Sequence, residues 1–450
     1  MGQRLRFRDV LAVSEFRAMW AAELLSVAGD QLARVALAVL VYERTSSAAW
    51  TALTYALTFV PAVLGGLVLS GLADRYPRRA VLVWTDLVRA GLAGVLAVPF
   101  LPLPALLAVV FVLTLAGAPA KAAQLALLPQ VLPGPAYTVG LALRTMTCQS
   151  AQLFGFAGGG VVLLVITPHA ALGLNAATFV AAAVLVFVGV RPRPAPVAGR
   201  AQSDNDRGVV ALIWRDRRLR GLIGICWLVG FVVVPEGLAA PYAAGLGGAA
   251  FAVGVLMAAD PAGSVLGAWA LTQWAPARLH DRLIAPLAVA AGLPLIFCVL
   301  RPGLLGSALL WGLSGALSTA YLVLAQAAFI QRVPDERRGA VAGLATSGLY
   351  ACQGLAILAA GLIADQIGPS RTVALAGATG ATLAVVIGLS WLRARHEPTP
   401  QQEQGLGGRD AETAVVRSPC SASAAPPPTE PAVVDPQESA AGASRAAALP

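Results

Sequence analysis

From Ala18 to Leu392 the chain alternates long apolar runs with short polar punctuation. Twelve runs of spanning length stand out: 18–42, 50–72, 80–99, 104–127, 140–165, 169–190, 221–245, 251–273, 283–300, 303–328, 339–363 and 371–392. A membrane helix needs about 20 predominantly apolar residues. The runs are apolar on all sides and rich in glycine, with no period-two alternation, so helices fit and barrel strands do not. The pattern predicts an all-α membrane protein whose twelve transmembrane helices fall into two pseudo-symmetric six-helix halves, residues 18–190 and 221–393. Residues 1–17 precede the first half, residues 191–220 join the halves, and residues 394–450 form a tail. The first run is too long for a signal-peptide core and carries Glu23, Asp30 and Arg34, so it is read as a retained span.

Composition sharpens this picture. Of 450 residues, 57% are hydrophobic and 12% are charged, against about 25% charged in soluble domains. Mean hydropathy is +0.73. A chain of soluble domains is excluded. The five cysteines are far apart and show neither a disulfide framework nor metal-ligand spacing. One lysine stands against 31 arginines, and Ala, Gly, Leu and Val dominate, the bias of a GC-rich bacterial genome.

Charge placement orients the runs. With the N-terminus inside, the inner segments hold 25 of the 32 basic residues and the outer loops only Arg44, Arg301 and Arg371. This positive-inside asymmetry calls for an even number of spans with both termini cytoplasmic, here in a bacterial inner membrane. The net charge of +9 therefore records orientation beside an anionic leaflet and gives no reason to expect a nucleic-acid partner. The central loop begins Arg191-Pro192-Arg193-Pro194 and ends in a basic stretch able to lie along the membrane surface. The tail is a low-complexity mixture of Pro, Ala, Ser, Gln and Glu, a composition that buries no core.

The loop after the second run reads Ser70-Gly71-Leu72-Ala73-Asp74-Arg75-Tyr76-Pro77-Arg78-Arg79. It resembles the loop 2–3 signature of the major facilitator superfamily, Gly-x-Leu-Ala-Asp-Arg-x-Gly-Arg-Arg, with Gly71 one place late and Pro77 at the second Gly. An acid followed by three arginines at a turn can clamp helix ends, through bidentate arginine bonds or by Asp74 capping a helix N-terminus. The plainer alternative is charge that only sets topology. Arg278–Arg282 is at best a worn repeat of this loop, and Val333-Pro334-Asp335-Glu336-Arg337-Arg338-Gly339 is similar to the family's loop 10–11.

In run five, Gly155-Phe156-Ala157-Gly158-Gly159-Gly160 resembles the end of the motif found in drug antiporters of that superfamily, with Phe156 replacing its proline. The alternative is ordinary close packing through small residues. The stretch Phe16–Gln31, together with Ala38–Tyr42, resembles the enterobactin-exporter and macrolide-efflux branch. The resemblance spans about 16–392. It implies a proton-coupled exporter of small amphipathic compounds, of antibiotic or siderophore type, that alternates access between two rocking halves. The alternatives kept open are a metabolite importer or facilitator of the same fold, and a non-transporting receptor or lipid-handling protein.

Charges within the runs are the candidate chemistry, because a mid-membrane charge costs at least ~2.5–3.5 kcal/mol and normally faces a cavity or a partner. Asp30 and Arg34 share a helical face and read either as an ion pair or as a proton-carrying site. Glu23 is expected to pair with Lys121 or Arg144, and Asp86 with Arg89. Glu236 follows Pro235, and Asp260 precedes Pro261, where a helix-breaking ring frees backbone groups. Trp227, Phe231, Tyr242, Trp311, Tyr321 and Tyr350 are candidate cavity aromatics; Trp50, Trp84, Trp269 and Trp391 read as interface anchors. There is no phosphate-binding Gly-x-x-x-x-Gly-Lys-Ser/Thr loop, and no metal or nucleophile constellation. The expectation is therefore a non-enzymatic, monomeric secondary transporter without cofactors.

Overall fold

The computed structural model describes residues 7–69, 71–194, 216–274, 280–333 and 338–394. Ser70, most of the central loop, Arg278, residues 334–337 and the tail from 395 lie outside the described residues. Those that are described contain helices and no strand.

Twelve helical segments follow the apolar runs. We label them α1 (Ser14–Thr45), α2 (Ala48–Ala56 continued by Val60–Leu69), α3 (Arg78–Leu96), α4 (Leu103–Val131), α5 (Pro135–Val162) and α6 (Pro168–Gly189). Then come α7 (Arg217–Trp227, Val229–Val232, Val234–Gly237 and Ala239–Gly245), α8 (Ala250–Trp274), α9 (His280–Ile296 with a 3-10 turn Phe297–Leu300), α10 (Gly303–Gln331), α11 (Arg338–Ile367) and α12 (Pro369–Ala394). Ten of them are long and apolar enough to cross a membrane. The other two, α3 and α5, have the length but carry more polar residues, among them Asp86 and Arg89 in α3 and Arg144 and Gln149 in α5.

Proline acts differently in the two helices it was expected to break. Around Pro235, α7 is divided into short pieces, and Glu236 sits within one of them. By contrast α8 runs unbroken through Pro261. A membrane helix tolerates an internal proline where neighbouring helices satisfy the freed backbone groups, and α10 packs along this part of α8.

The helices form two packed groups. In the first, α1 lies against α5 and α6, α3 against α4 and α6, and α2 against α4; in the second, α8 and α9 lie against α10, α9 against α12, and α7 against α10, α11 and α12. The groups meet where α2 packs on α11 and α5 on α8. Successive helices run antiparallel, so one end of the bundle holds the start of α1 (the near end) and the other holds the short links such as Ser46-Ser47 (the far end). Gly368 closes the far-end turn between α11 and α12 with φ +88, a backbone region open to glycine at little cost.

Trp391 is buried at 1% exposure and packs on Gly221, so it is a core residue rather than an interface anchor. Trp50, Trp84 and Trp269 are exposed. Much of the outer surface is apolar, with Phe100, Val165, Val188 and Leu305 among the most exposed large side chains. Such a surface suits a lipid environment, where exposed apolar groups cost nothing.

Candidate functional site

The charges within the helices mostly find partners on other helices. Glu23 of α1 receives two bonds from Arg144 of α5, Nε and Nη2 each at 2.5 Å. Gln124 of α4 stands 3.5 Å from the same guanidinium. One turn earlier on α1, Trp20 Nε1 donates to Thr147 Oγ1 at 2.8 Å.

Asp30 pairs with Arg89 of α3, not with Arg34: Arg89 Nη2 donates to Oδ1 at 3.0 Å and Oδ2 at 2.8 Å. The Arg89 guanidinium also lies 4.1 Å from the ring centroid of Phe179 on α6, an attractive cation–π position. Asp86 is buried one turn before Arg89 and forms no ion pair among the described residues. Arg34, four residues beyond Asp30, turns to α2 instead, 5.7 Å from the ring centroids of both Tyr55 and Phe59.

That same Tyr55 crosses between the groups, donating its hydroxyl to the carboxylate of Glu236 on α7. Both side chains are buried. Arg34, Tyr55 and Glu236 thus form one polar cluster from α1, α2 and α7. Asp260 of α8 lies against Gly315 of α10, where a β-carbon would stand 2.6 Å from its Oδ1. Asp260 has no ion pair among the described residues.

Of the candidate aromatics, Tyr242, Trp311 and Tyr321 are wholly buried. Tyr242 meets Trp311 edge-on at 5.3 Å and its hydroxyl lies 2.8 Å from Ser307 Oγ. Their tight packing makes them core residues. Trp227, Phe231 and Tyr350 remain half-buried.

At the near end, Arg78 Nη1 donates to the Ala126 carbonyl of α4 at 2.7 Å. Arg79 donates to the Phe187 carbonyl of α6 and lies 4.7 Å from that ring. Both arginines thereby bind their own group of helices. Gly71 has open space around it, and Asp74 and Arg75 lie in the short helix Leu72–Arg75. Close by, Glu15 at the start of α1 binds the Arg193 guanidinium and accepts from the Arg191 amide at 3.1 Å.

The glycines of run five divide their work. A β-carbon on Gly155 would stand 2.8 Å from Gln31 Cβ, and one on Gly159 3.3 Å from Leu32 Cα, both on α1. One on Gly160 would stand 2.8 Å from Gly254 Cα of α8. The stretch therefore seats α5 on α1 and also on the other group.

Arg89 was expected to pair with Asp86 and pairs with Asp30 instead. Three participants were not singled out from sequence. Tyr55 is unremarkable until the tertiary fold places it beside an acid. Glu15 reads as an ordinary first-turn acid. Asp365, just past the eleventh apolar run, reads as loop charge; yet its carboxylate accepts from Ser47 Oγ at 2.8 Å and from the amides of Ala48 at 2.6 Å and Ala49 at 3.3 Å. An acid following Gly361-Leu362-Ile363-Ala364 was the available signal. No group of three or more His, Cys, Asp or Glu able to hold a metal occurs among the described residues.

Residues 19–313 match the sequence model of the Major Facilitator Superfamily. No curated protein matches by sequence. Among solved structures, the nucleoside transporter NupG is similar with a TM-score of 0.65 at 14% identity, over 85% of this chain and 100% of that one. A bacterial homologue of the human lysosomal transporter Spinster, inward-facing and occupied, gives 0.66 at 13%, over 86% and 98%. A POT family transporter in complex with 5-aminolevulinic acid gives 0.67 at 10%, over 84% and 96%. At these identities the likeness is one of fold.

Proposed function

Because the chain belongs to the Major Facilitator Superfamily, we propose that this membrane transporter is a proton-coupled exporter of small amphipathic compounds. All twelve helices cross a bacterial inner membrane, with the near end and both termini cytoplasmic, as the arginine asymmetry requires. Residues 18–190 and 221–393 are the two halves that rock about a central site. Contacts between α2 and α11 close the far end in this conformation.

The observation that carries this reading is the hydrogen bond from Tyr55 to Glu236 beneath Arg34. It is a titratable contact between the halves, placed away from water. Rocking that separates α2 from α7 breaks it, so the carboxyl is paired in one state and unpaired in the other. A group in that position can load a proton in one state and release it in the other. Asp260 offers a second carboxyl in the same half. Asp30, held by Arg89, is the third, and its proton uptake requires release of that arginine. The run of small residues Gly155–Gly160, like the motif of drug antiporters, supports export.

Transport in proteoliposomes with an imposed pH gradient and a panel of amphipathic compounds tests the proposal. Glu236→Gln is expected to lower gradient-driven accumulation by about tenfold or more while leaving downhill exchange measurable, and Asp30→Asn to act in the same direction. Undiminished uphill transport by Glu236→Gln would remove Glu236 from the coupling role.

A second reading, a metabolite importer or facilitator, draws on the ion pairs Glu23–Arg144 and Asp30–Arg89, which are ordered polar groups of the kind a polar solute needs. The similar folds include transporters of nucleosides and peptides. Concentrative entry of a polar solute, with no movement of amphipathic compounds, would select it.

A further inference from the structure

We infer that Asp365 is a positioning residue of the transport cycle: its carboxylate is the latch that holds the far end shut. The inference rests on the alternating-access reading above and adds a residue outside its coupling site.

The geometry is specific. Asp365 lies in the last turn of α11 in the second half, and its acceptors close on the first turn of α2 in the first half. Ser47, the N-cap of α2, donates its hydroxyl to Oδ2 at 2.8 Å; the Ala48 amide donates to Oδ1 at 2.6 Å and the Ala49 amide to Oδ2 at 3.3 Å. The first amides of a helix have no partner within it, and its N-terminus carries partial positive charge. An anion there gains both the charge-assisted bonds and the dipole. No ion pair to Asp365 occurs among the described residues. Its stabilisation comes from the other half's backbone.

The neighbouring contacts make the placement exclusive to a closed far end. A β-carbon on Gly361 would stand 2.4 Å from Ala52 Cβ and 3.2 Å from the Ala48 carbonyl, so α11 lies almost directly on α2. One turn and more deeper, Gly354 meets Val60 and Phe59 in the same way. Any motion that parts α2 from α11 at this end must pull the carboxylate off all three donors at once. Removing the latch therefore shifts the population toward the far-open state without touching the central cluster.

The test uses the full chain with its native cysteines replaced, purified in detergent, with spin labels on Glu43→Cys and Gln366→Cys. Both positions are exposed at the far end. Distance distributions are compared for the parent, Asp365→Asn, Asp365→Glu and Ser47→Ala. The parent is expected to show a dominant short distance and a minor long one. Asp365→Asn is expected to move the ratio by about tenfold toward the long distance, Ser47→Ala by less in the same direction, and Asp365→Glu to restore part of the short population. A parent with both distances, unmoved by Asp365→Asn and by Ser47→Ala, would overturn the latch and leave alternating access standing. One fixed distance in the parent and in every variant would overturn both.

Discussion

Arg144 shows what one buried charge does in this fold. It reaches across from α5 to grip both oxygens of Glu23, with the two side chains only 20% and 12% exposed. Removing one partner strands the other in a setting with little water. Glu23→Gln and Arg144→Gln are each expected to cost about 2–4 kcal/mol, read as earlier thermal unfolding in detergent. The double variant should lose less than the sum of the two, because it leaves no unmatched charge. This pairing was within reach of the sequence, since both residues fall in the same third of their helices. The Asp30 partner was not. Spacing of four along α1 brings Arg34 onto the face of Asp30, but sequence spacing reports only neighbours on the same helix. Arg89 competes from α3, and Phe179 behind it fixes its guanidinium. Tyr55 stayed hidden for the same reason: a tyrosine in an apolar run has no mark until an acid from another helix meets it.

Individual helices are held by closeness more than by polar bonds. Along α8 and α10 the approach is extreme: a β-carbon on Gly263 would stand 1.7 Å from the Gly312 carbonyl, and one on Gly267 2.1 Å from that of Ala316. Ser264 and Thr319 add a hydroxyl contact at 2.7 Å across the same seam. Without a hydrophobic drive between helices in lipid, such backbone proximity is a main source of association. Gly263→Ala must therefore push the two helices apart, at an expected cost of about 3 kcal/mol or more. Gly91 and Gly94 on α3 have nothing within 4 Å of where a β-carbon would stand, and Gly91→Ala should be neutral or slightly stabilising through helix propensity. Thermal unfolding of the two variants side by side checks the contrast. Helix type was legible because all-round apolarity over about 20 residues has few other solutions. The four-piece form of α7 and the unbroken α8 were not, since both depend on what packs beside the proline.

At the scale of the whole molecule, the contacts joining the two groups of helices gather toward one end among the described residues. Asp365 with the start of α2, Gly361 with Ala52, and Gly160 with Gly254 lie toward the far end, and the Tyr55–Glu236 bond lies deeper. At the near end, Arg78 and Arg79 bind carbonyls of their own group. The charge asymmetry along the chain assigned the near end to the cytoplasm, a statement that reporter fusions can check. A fluorescent protein fused after Ala394 should fluoresce, and alkaline phosphatase inserted after Gly247 should be active; the opposite pattern would invert the topology. The even spacing of twelve apolar runs around a basic loop is what suggests two halves. Which end would be closed was not legible, because both ends carry the same kinds of turn and small residue.

The latch at Asp365 also changes the meaning of an ordinary substitution. Proline is welcome in the first turn of most helices, because the amide it removes has no partner there. In α2 those amides are employed: Ala48 and Ala49 both donate to the opposite half. Exchanging their side chains for other small ones leaves the donors in place, whatever the chemistry of the replacement. Ala48→Pro alone deletes one, so a change that would elsewhere pass as stabilising becomes here a lesion of the gate.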